Sequence, residues 1–509
     1  MLTRCVALAI AIGSLTLNAN AGDNTAVHYR ASLVANASTG DLAPYMIGSW
    51  NSGRITGASG IWQDGHIFKT LDTDRRFSWS AGFEYIAGYG SAADYARFTD
   101  GTWGKNANRQ SPARIIQLYG QLKYRSVFML AGMKEHKSGI VDNELSSGDL
   151  TRSNNARPIP GVSVGFLDFQ NIPFTNGWVQ IDGELMYGRF TDSSFRKNTF
   201  NYYSGLIGTS NWYTYKRCYF RTKPTMPLSV TIGMQAAGEF AGQAKFYRRG
   251  EVSRKFYRGF QFKDIIDMFF PIEGSGEDYY KGSSLGSWDV KALYRFKNGS
   301  NLTAYFEGPW EDGSGIGRQN GWDGLWGIQY DFKPGLPVSK IVLEYFDFTN
   351  QSGPIHYAPH DTPGSSITDV ATGGDNYYNN DFYGPYCNYG MSIGSPFVVS
   401  PLYNTDGMPG YCHNRARGFH AAVAGALSSQ WTYTAKASYQ HAGGTGRIPA
   451  IRRLHDTSAL IGIRWTAPGR LRGLEVDARL AFDCGNLRGN NFGAMVGVSY
   501  SGNISSAKK

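Results

Sequence analysis

Apolar and polar residues alternate with a period of two along most of this chain. In 178–190, Val179, Ile181, Leu185 and Tyr187 share one face of an extended segment, and Gln180, Asp182 and Glu184 share the other. In 473–483, Leu474, Val476, Ala478, Leu480 and Phe482 alternate with Glu475, Asp477 and Arg479. In 430–441, Trp431, Tyr433, Ala435, Ala437 and Tyr439 alternate with Thr432, Thr434, Lys436, Ser438 and Gln440. In 114–124, Ile116, Leu118, Leu122 and Tyr124 oppose Gln117, Tyr119, Gln121 and Lys123. Period two places successive side chains on opposite faces of a strand. The segments have roughly the 9–11 residues that a tilted strand needs to cross a bilayer. Their polar faces carry carboxylates and amides, which suits a wet interior with lipid outside rather than the dry centre of a sandwich.

The pattern predicts strands at 27–37, 59–69, 77–89, 113–124, 126–136, 161–168, 177–190, 214–222, 228–240, 285–297, 301–309, 324–333, 339–349, 416–427, 430–441, 457–466, 473–483 and 491–500. About 18 strands is an even number, as single-chain bacterial barrels have. Connections alternate between short and long. The short ones include Lys333-Pro334-Gly335, Asn298-Gly299 and Pro468-Gly469, which carry turn chemistry, and the longest spans 350–415. The expected fold is all-β: one transmembrane antiparallel β-barrel over 22–500, both termini periplasmic, long loops outside, and a polar tail at 501–509. Phe260, Ile265, Ile266, Met268 and Phe269 stand near helical spacing before Pro271. They predict a short amphipathic helix in connection 241–284, packed inside the barrel or over its mouth. The long connections 241–284 and 350–415 are expected to fold inward as a plug.

The N-terminus changes the setting. Arg4, the apolar run 5–17 and Ala19-Asn20-Ala21 read as a signal peptide over 1–21, so export is expected, with the mature chain starting at Gly22. Cys5 precedes the apolar core, so a lipoprotein anchor is not expected. Mean hydropathy is −0.35, which fits a barrel because only alternate residues meet lipid. The 32 Tyr and 64 Gly suit interface girdles and curved strands. The net charge of +10 is scattered rather than run together, so nucleic acid is not an expected partner. A basic lumen or loop surface would attract acidic glycans or lipid phosphates. Of the four cysteines after the leader, Cys387 and Cys412 share one long connection and are candidates for a disulfide. Cys218 and Cys484 fall on different strands, and the pairing stays open.

Enzyme chemistry finds little support. HExxH is absent. His136 with Ser138, and His441, are present without a triad, and the neighbours Glu311 and Asp312 point to opposite faces of a strand end. No enzyme activity, metal or cofactor is expected. Sugar contact fits better, because exposed aromatics beside amides and charges match the C–H faces and hydroxyls of a saccharide. The candidates are Trp310, Asp312, Arg318, Trp322 and Asp323 in 310–323, Asp375, Asn376, Tyr377 and Tyr378 in 350–415, and Arg152, Asn155 and Arg157 in 137–160. Trp and Tyr at strand ends also form membrane girdles, and Asn and Asp also make turns.

A set of ordered motifs adds a family. Leu145-Ser146-Ser147-Gly148-Asp149-Leu150 through Asn155-Ala156-Arg157-Pro158-Ile159-Pro160 resembles a hallmark of the capsule assembly Wzi family. So do Gly177-Trp178 through Gly188-Arg189-Phe190-Thr191-Asp192, Leu285-Gly286-Ser287-Trp288, Gly321-Trp322-Asp323-Gly324-Leu325 and Asn350-Gln351-Ser352-Gly353-Pro354. Asp375-Asn376-Tyr377-Tyr378-Asn379, Tyr389-Gly390-Met391-Ser392-Ile393-Gly394, Ser400-Pro401-Leu402-Tyr403-Asn404 and Gly489-Asn490-Asn491-Phe492-Gly493 complete the series. The resemblance implies a plugged, non-enzymatic outer-membrane lectin that binds capsular or exopolysaccharide and helps assemble or retain it. It carries over no individual sugar-binding residue. Outer-membrane lipid is the other expected partner, and a monomer the expected state. The alternative reading is a porin-like channel for small solutes.

Overall fold

The computed structural model describes residues 26–269, 282–353 and 374–504. The expected signal peptide lies outside the described residues. Eighteen strands form one closed antiparallel barrel. In chain order they are β1 (Val27–Ser38), β2 (Gly60–Lys69), β3 (Phe77–Gly90), β4 (Ala113–Tyr124), β5 (Val127–Met133) and β6 (Gly161–Phe166). Then come β7 (Val179–Arg189), β8 (Trp212–Thr222), β9 (Leu228–Phe240), β10 (Ser283–Arg295), β11 (Asn301–Trp310) and β12 (Gly324–Asp331). The last six are β13 (Val338–Asp347), β14 (Ala416–Ala426), β15 (Trp431–Gly444), β16 (Pro449–Thr466), β17 (Leu474–Gly485) and β18 (Asn491–Ile504). Each corresponds to one of the expected segments. Neighbours in sequence are neighbours in the wall, and β1 pairs with β18 from Val27↔Ile504 to Ser38↔Gly493, which leaves no open edge.

The alternation sorts side chains as the physics of a bilayer requires. Leu118, Ile232, Leu343, Ile461 and Val496 are exposed on the outer face of the barrel. Phe77, Tyr124, Tyr294, Trp431 and Tyr500 ring the short-turn end, and Tyr89, Trp322, Phe419, Tyr439 and Phe492 ring the long-loop end. Two aromatic belts around an aliphatic band match the two interfaces and the hydrocarbon between them. The inner face carries Asp64, Glu84, Asp182, Asp289, Glu307, Glu344 and Asp456, all buried.

Several expectations shift. At β3–β4 the register slips, with Glu84 opposite Gln117 but Tyr85 opposite Ile115. The bulge therefore turns Ile116 inward, against Ile55, Trp62 and Ile86, and gives the lipid face to Ile115. β16 begins at Pro449 rather than 457, and with β15 it rises past the rim as a hairpin. β18 runs to Ile504, four residues beyond the expected end at Tyr500, because Ser501 to Ile504 complete the pairing with Val27 to Arg30. The connections contain further strands. Ala92–Thr99 pairs with Thr102–Arg109, and Ser204–Thr209, Gly242–Arg248 and Glu251–Arg258 form a three-stranded sheet.

Two helices matter here, α1 (Ser193–Thr199) and α2 (Phe262–Phe269). α2 is the helix expected from sequence, but it packs neither in the lumen nor over the mouth. It lies on the outside of the wall, where Met268 joins Phe240 and Ala241, with Tyr187, Trp212 and Phe260 beside them. The described part of connection 241–284 accordingly does not plug the barrel. Connection 134–160 does, and part of 374–415 lies over it.

If Ile461 faces the middle of the hydrocarbon, Ile461→Arg should lower stability by about 2–4 kcal/mol in urea unfolding from lipid vesicles, whereas Tyr500→Arg, in the belt, should cost about 0–1 kcal/mol.

Candidate functional site

The polar lumen dictates what fills it. Buried carboxylates need donors, and connection 134–160 supplies them from its backbone and small side chains. Ser146 Oγ and Ser147 N each donate to Glu344 at 2.6 Å. Leu150 N donates to Glu307 at 3.0 Å, and Thr151 Oγ1 sits 2.9 Å from Ser287 Oγ. Gln235 Nε2 bridges Asp149 and Asp289, at 3.0 and 3.1 Å. Lys340 reaches Asp142 at 2.5 Å. Gly148 takes φ +105°, and a Cβ there would meet Pro396 Cδ at 2.6 Å, so the turn that delivers these donors requires glycine.

A second layer closes down on the first. Tyr378 Oη donates to Leu150 O at 2.6 Å, Tyr386 Oη to Thr151 O at 2.9 Å, and Ser395 Oγ to Ser147 O at 3.0 Å. Phe397, Phe346 and Phe348 stack between the layers and the wall, with ring centroids 4.4 and 4.7 Å apart.

Above this plug, at the long-loop rim, lies a cleft of about 380 Å³. It is within the size range of small-molecule sites. Five of the connections between strands line it, with residues including Gly53, Asn108, Arg109, Gln110, Arg157, Asn198, Asn388 and Tyr389. The Arg157 guanidinium lies 3.8 Å from the centre of the Tyr389 ring. Tyr389 is fixed in turn, since its hydroxyl donates to Thr191 O at 3.1 Å and its N–H to Asp192 at 3.2 Å. Asp192 also holds Arg196 of α1, which donates at 2.8 Å to the Cys387 carbonyl. The backbone of Arg157 is held by Asn388 Nδ2 at 2.8 Å. Gly53, at φ +66°, would bring a Cβ to 3.3 Å from Arg157 N, so this close approach also depends on glycine.

Electrostatically the cleft is one-sided. Its charged lining residues are Arg109 and Arg157, without a carboxylate. Among the described residues Arg157 forms no ion pair, and its Nε has no hydrogen-bond partner. Burial pulls the Arg157 pKa down, and the Tyr389 hydroxyl and, less, the Asp192 carboxylate behind it push it partly back. Such a guanidinium gains from an incoming anion or hydroxyl acceptor.

Of the sugar-contact residues expected from sequence, Arg157 alone lines this cleft. Asn155 is fully buried and bridges Trp50 N, at 3.3 Å, to Ser392 O, at 2.9 Å. Arg152 lies in the lumen over the Tyr215 ring at 4.7 Å. Trp310 is buried, and Trp322 belongs to the outer aromatic belt, 5.6 Å from Trp326. Asp312 accepts from Ser314 N at 2.8 Å, and Arg318 donates to Gly321 O at 2.7 Å. Asp323 accepts from Asn350 N and Gln351 N, at 3.0 and 2.7 Å. Asp375 accepts from Ser352 Oγ at 2.5 Å, and Asn376 Oδ1 from Asn414 Nδ2 at 2.7 Å. Tyr377 Oη accepts from Asn320 Nδ2 at 2.9 Å, while Tyr378 holds the plug. These residues tie connection 310–323 to the layer above the plug. The candidate disulfide is absent: Cys387 and Cys412 are free thiols. Cys412 Sγ turns to Gly410 O at 3.8 Å, while Cys387 is buried beside Arg196.

No protein-family model matches the chain, and no curated protein sequence matches it. Solved structures do. Wzi of Escherichia coli, described as an outer-membrane protein involved in group 1 capsule assembly and a carbohydrate-binding β-barrel, is 12% identical with a TM-score of 0.54. The match covers 97% of this chain and 86% of that one. OccAB2 of Acinetobacter baumannii matches at 8% identity and a TM-score of 0.49, over 95% of this chain and 99% of that one. OprD of Pseudomonas aeruginosa matches at 9% identity and a TM-score of 0.46, over 96% and 100%. The likeness to Wzi is one of fold, and the fold is that of an outer-membrane barrel.

The layer above the plug should respond to acid. Burial, with Asp312 nearby, lifts the Asp375 pKa from 3.8 to about 7. The folded form thus keeps a proton that the unfolded segment releases, so this contribution is complete below about 3.8 and is lost as pH rises to about 7. Limited proteolysis within 374–415 should therefore accelerate between pH 4 and pH 7 and level off above, and Asp375→Asn should flatten that rise.

Proposed function

We propose that this barrel is a non-enzymatic surface lectin that binds an acidic polysaccharide, of the kind found in capsules, at its outer rim. The observation that carries the reading is the cleft itself. A stacked aromatic ring, several amides and two guanidinium groups without a carboxylate form a lining suited to hydroxyls and a uronate or similar anion. Its position supports the same reading, because a chain too large for a pore can reach the rim from outside. The plug supports it too: the lumen below is occupied by 134–160, held through Glu307 and Glu344. The carbohydrate binding described for Wzi, which shares the fold, points the same way. Retention or assembly of that polysaccharide at the cell surface is the role such binding would serve.

The alternative, a channel for small solutes, makes the opposite electrical prediction. In planar bilayers the purified barrel should show no steady ohmic conductance, and a stable open current would favour the channel instead. Binding of acidic capsular oligosaccharide should weaken about ten- to a hundredfold in Arg157→Ala, the loss expected for one charge-assisted hydrogen bond of ~1.5–3 kcal/mol. Titration calorimetry with the oligosaccharide and its carboxyl-reduced form reads this directly. Trp322→Ala, in the membrane belt, should leave the affinity unchanged.

A further inference from the structure

α2 and the strands before it have a feature that the cleft does not use. Contacts step down the outside of the barrel. Phe260 stacks on Trp212 at 4.3 Å, at the outer end of β8. Tyr187 Oη donates to Ile265 O at 2.6 Å, and Lys216 Nζ to the carbonyls of Met268 and Phe269, at 2.8 and 2.6 Å. Lys216 stands four residues below Trp212 on β8, about 13 Å along the strand. It shares the lipid face with Leu185 and Ala236, its partners across β7 and β9. An ammonium on that face is costly in hydrocarbon, and the C-terminal carbonyls of α2 satisfy it. α2 therefore belongs at the level of the outer leaflet.

Another face of α2 is apolar and exposed: Phe262 is 85% exposed and Ile266 66%. Directly above, Gly242–Arg248 and Glu251–Arg258 present Tyr257, 80% exposed, and then Lys245 opposite Lys255. Like charges directly opposed across an antiparallel pair destabilise it. Among the described residues neither lysine has a carboxylate partner. Arg248 and Arg249, also exposed, lie beyond them, with the exposed Glu251 opposite Arg248. From the membrane outward the order is aliphatic and phenyl side chains, then a phenol, then cations. The outer half of an anionic lipid has the same order: acyl chain, interface, phosphate.

We propose that this outer wall is a docking surface for a phosphorylated glycolipid of the outer leaflet. Phe262 and Ile266 contact its acyl chains, and Lys245 and Lys255 bind a phosphate between them. The phosphate supplies the charge that the lysine pair lacks, and the acyl chains meet the two exposed apolar side chains of α2.

Native mass spectrometry of the full-length barrel, released from vesicles containing bisphosphorylated lipid A or the same lipid stripped of phosphate, tests this. The barrel should retain the phosphorylated form about tenfold more, the scale of one charge-assisted contact. The double variant Lys245→Glu/Lys255→Glu should lose that preference while keeping its heat-modifiable migration. If the double variant does not fold, Lys245→Gln and Lys255→Gln, each retaining less phosphorylated lipid than the native chain, give the same answer. Equal retention of both lipids by the native barrel, an undiminished preference in the variants, or displacement of the lipid by soluble polyglucuronate would overturn the proposal.

Discussion

A closed wall of alternating residues has a polar inside whose hydrogen-bonding groups need partners, from water or from protein. Every strand that sends an aliphatic side chain to the lipid sends its neighbour inward, and in this chain many of those neighbours are carboxylates. An inward Glu307 or Glu344 without a donor costs several kcal/mol. Water supplies the donor in an open lumen; here connection 134–160 supplies it. Connection 134–160 is short on bulk and rich in Ser, Thr, Gly and Asn, so it offers free N–H and O–H groups to the wall at close range. Its path is fixed by where the wall's acceptors are, at Glu344, Glu307 and Ser287.

The rim inherits its shape from that arrangement. Because the plug is anchored below, its far end at Arg157 is held at a fixed height, against Gly53 on one side and Asn388 on the other. Tyr389 is braced by Asp192 and Thr191, so the ring and the guanidinium meet with little freedom to lose on binding. Preorganisation of this kind makes a shallow polar cleft useful, because saccharide contacts are individually weak.

The barrel was legible in the sequence because its signal is local. Period two, turn dipeptides and the long–short rhythm of connections are each readable within a dozen residues, and all eighteen strands fall where they imply. The slips have physical causes. A bulge at Ile116 exchanges the faces of two isoleucines, which no alternation pattern announces. The helix at Phe262–Phe269 was visible, but its partners, Tyr187 and Lys216, lie on distant strands, and its apolar side suggested a lumen rather than a lipid setting. The cleft was mostly invisible. Arg157 could be picked out by type, yet Asn108, Asn198, Asn388 and Tyr389 converge only through the fold. Conversely Asp323, Asn376 and Tyr377 have the composition of a sugar site but spend it on bracing loops, because an Asx side chain that binds a turn looks the same in sequence as one that binds a ligand.

The pairing of β1 with β18 carries an implication for biogenesis. The two strands that complete the cylinder are the first and the last of the eighteen in chain order, and the seam runs to Ile504. No intermediate lacking the final segment can be sealed. Until it arrives, β1 and β17 both present unpaired backbone, the kind of edge that invites mispairing with another chain. Assembly of this barrel therefore requires that all eighteen strands be delivered, and its two edges kept apart from foreign strands, before insertion can finish.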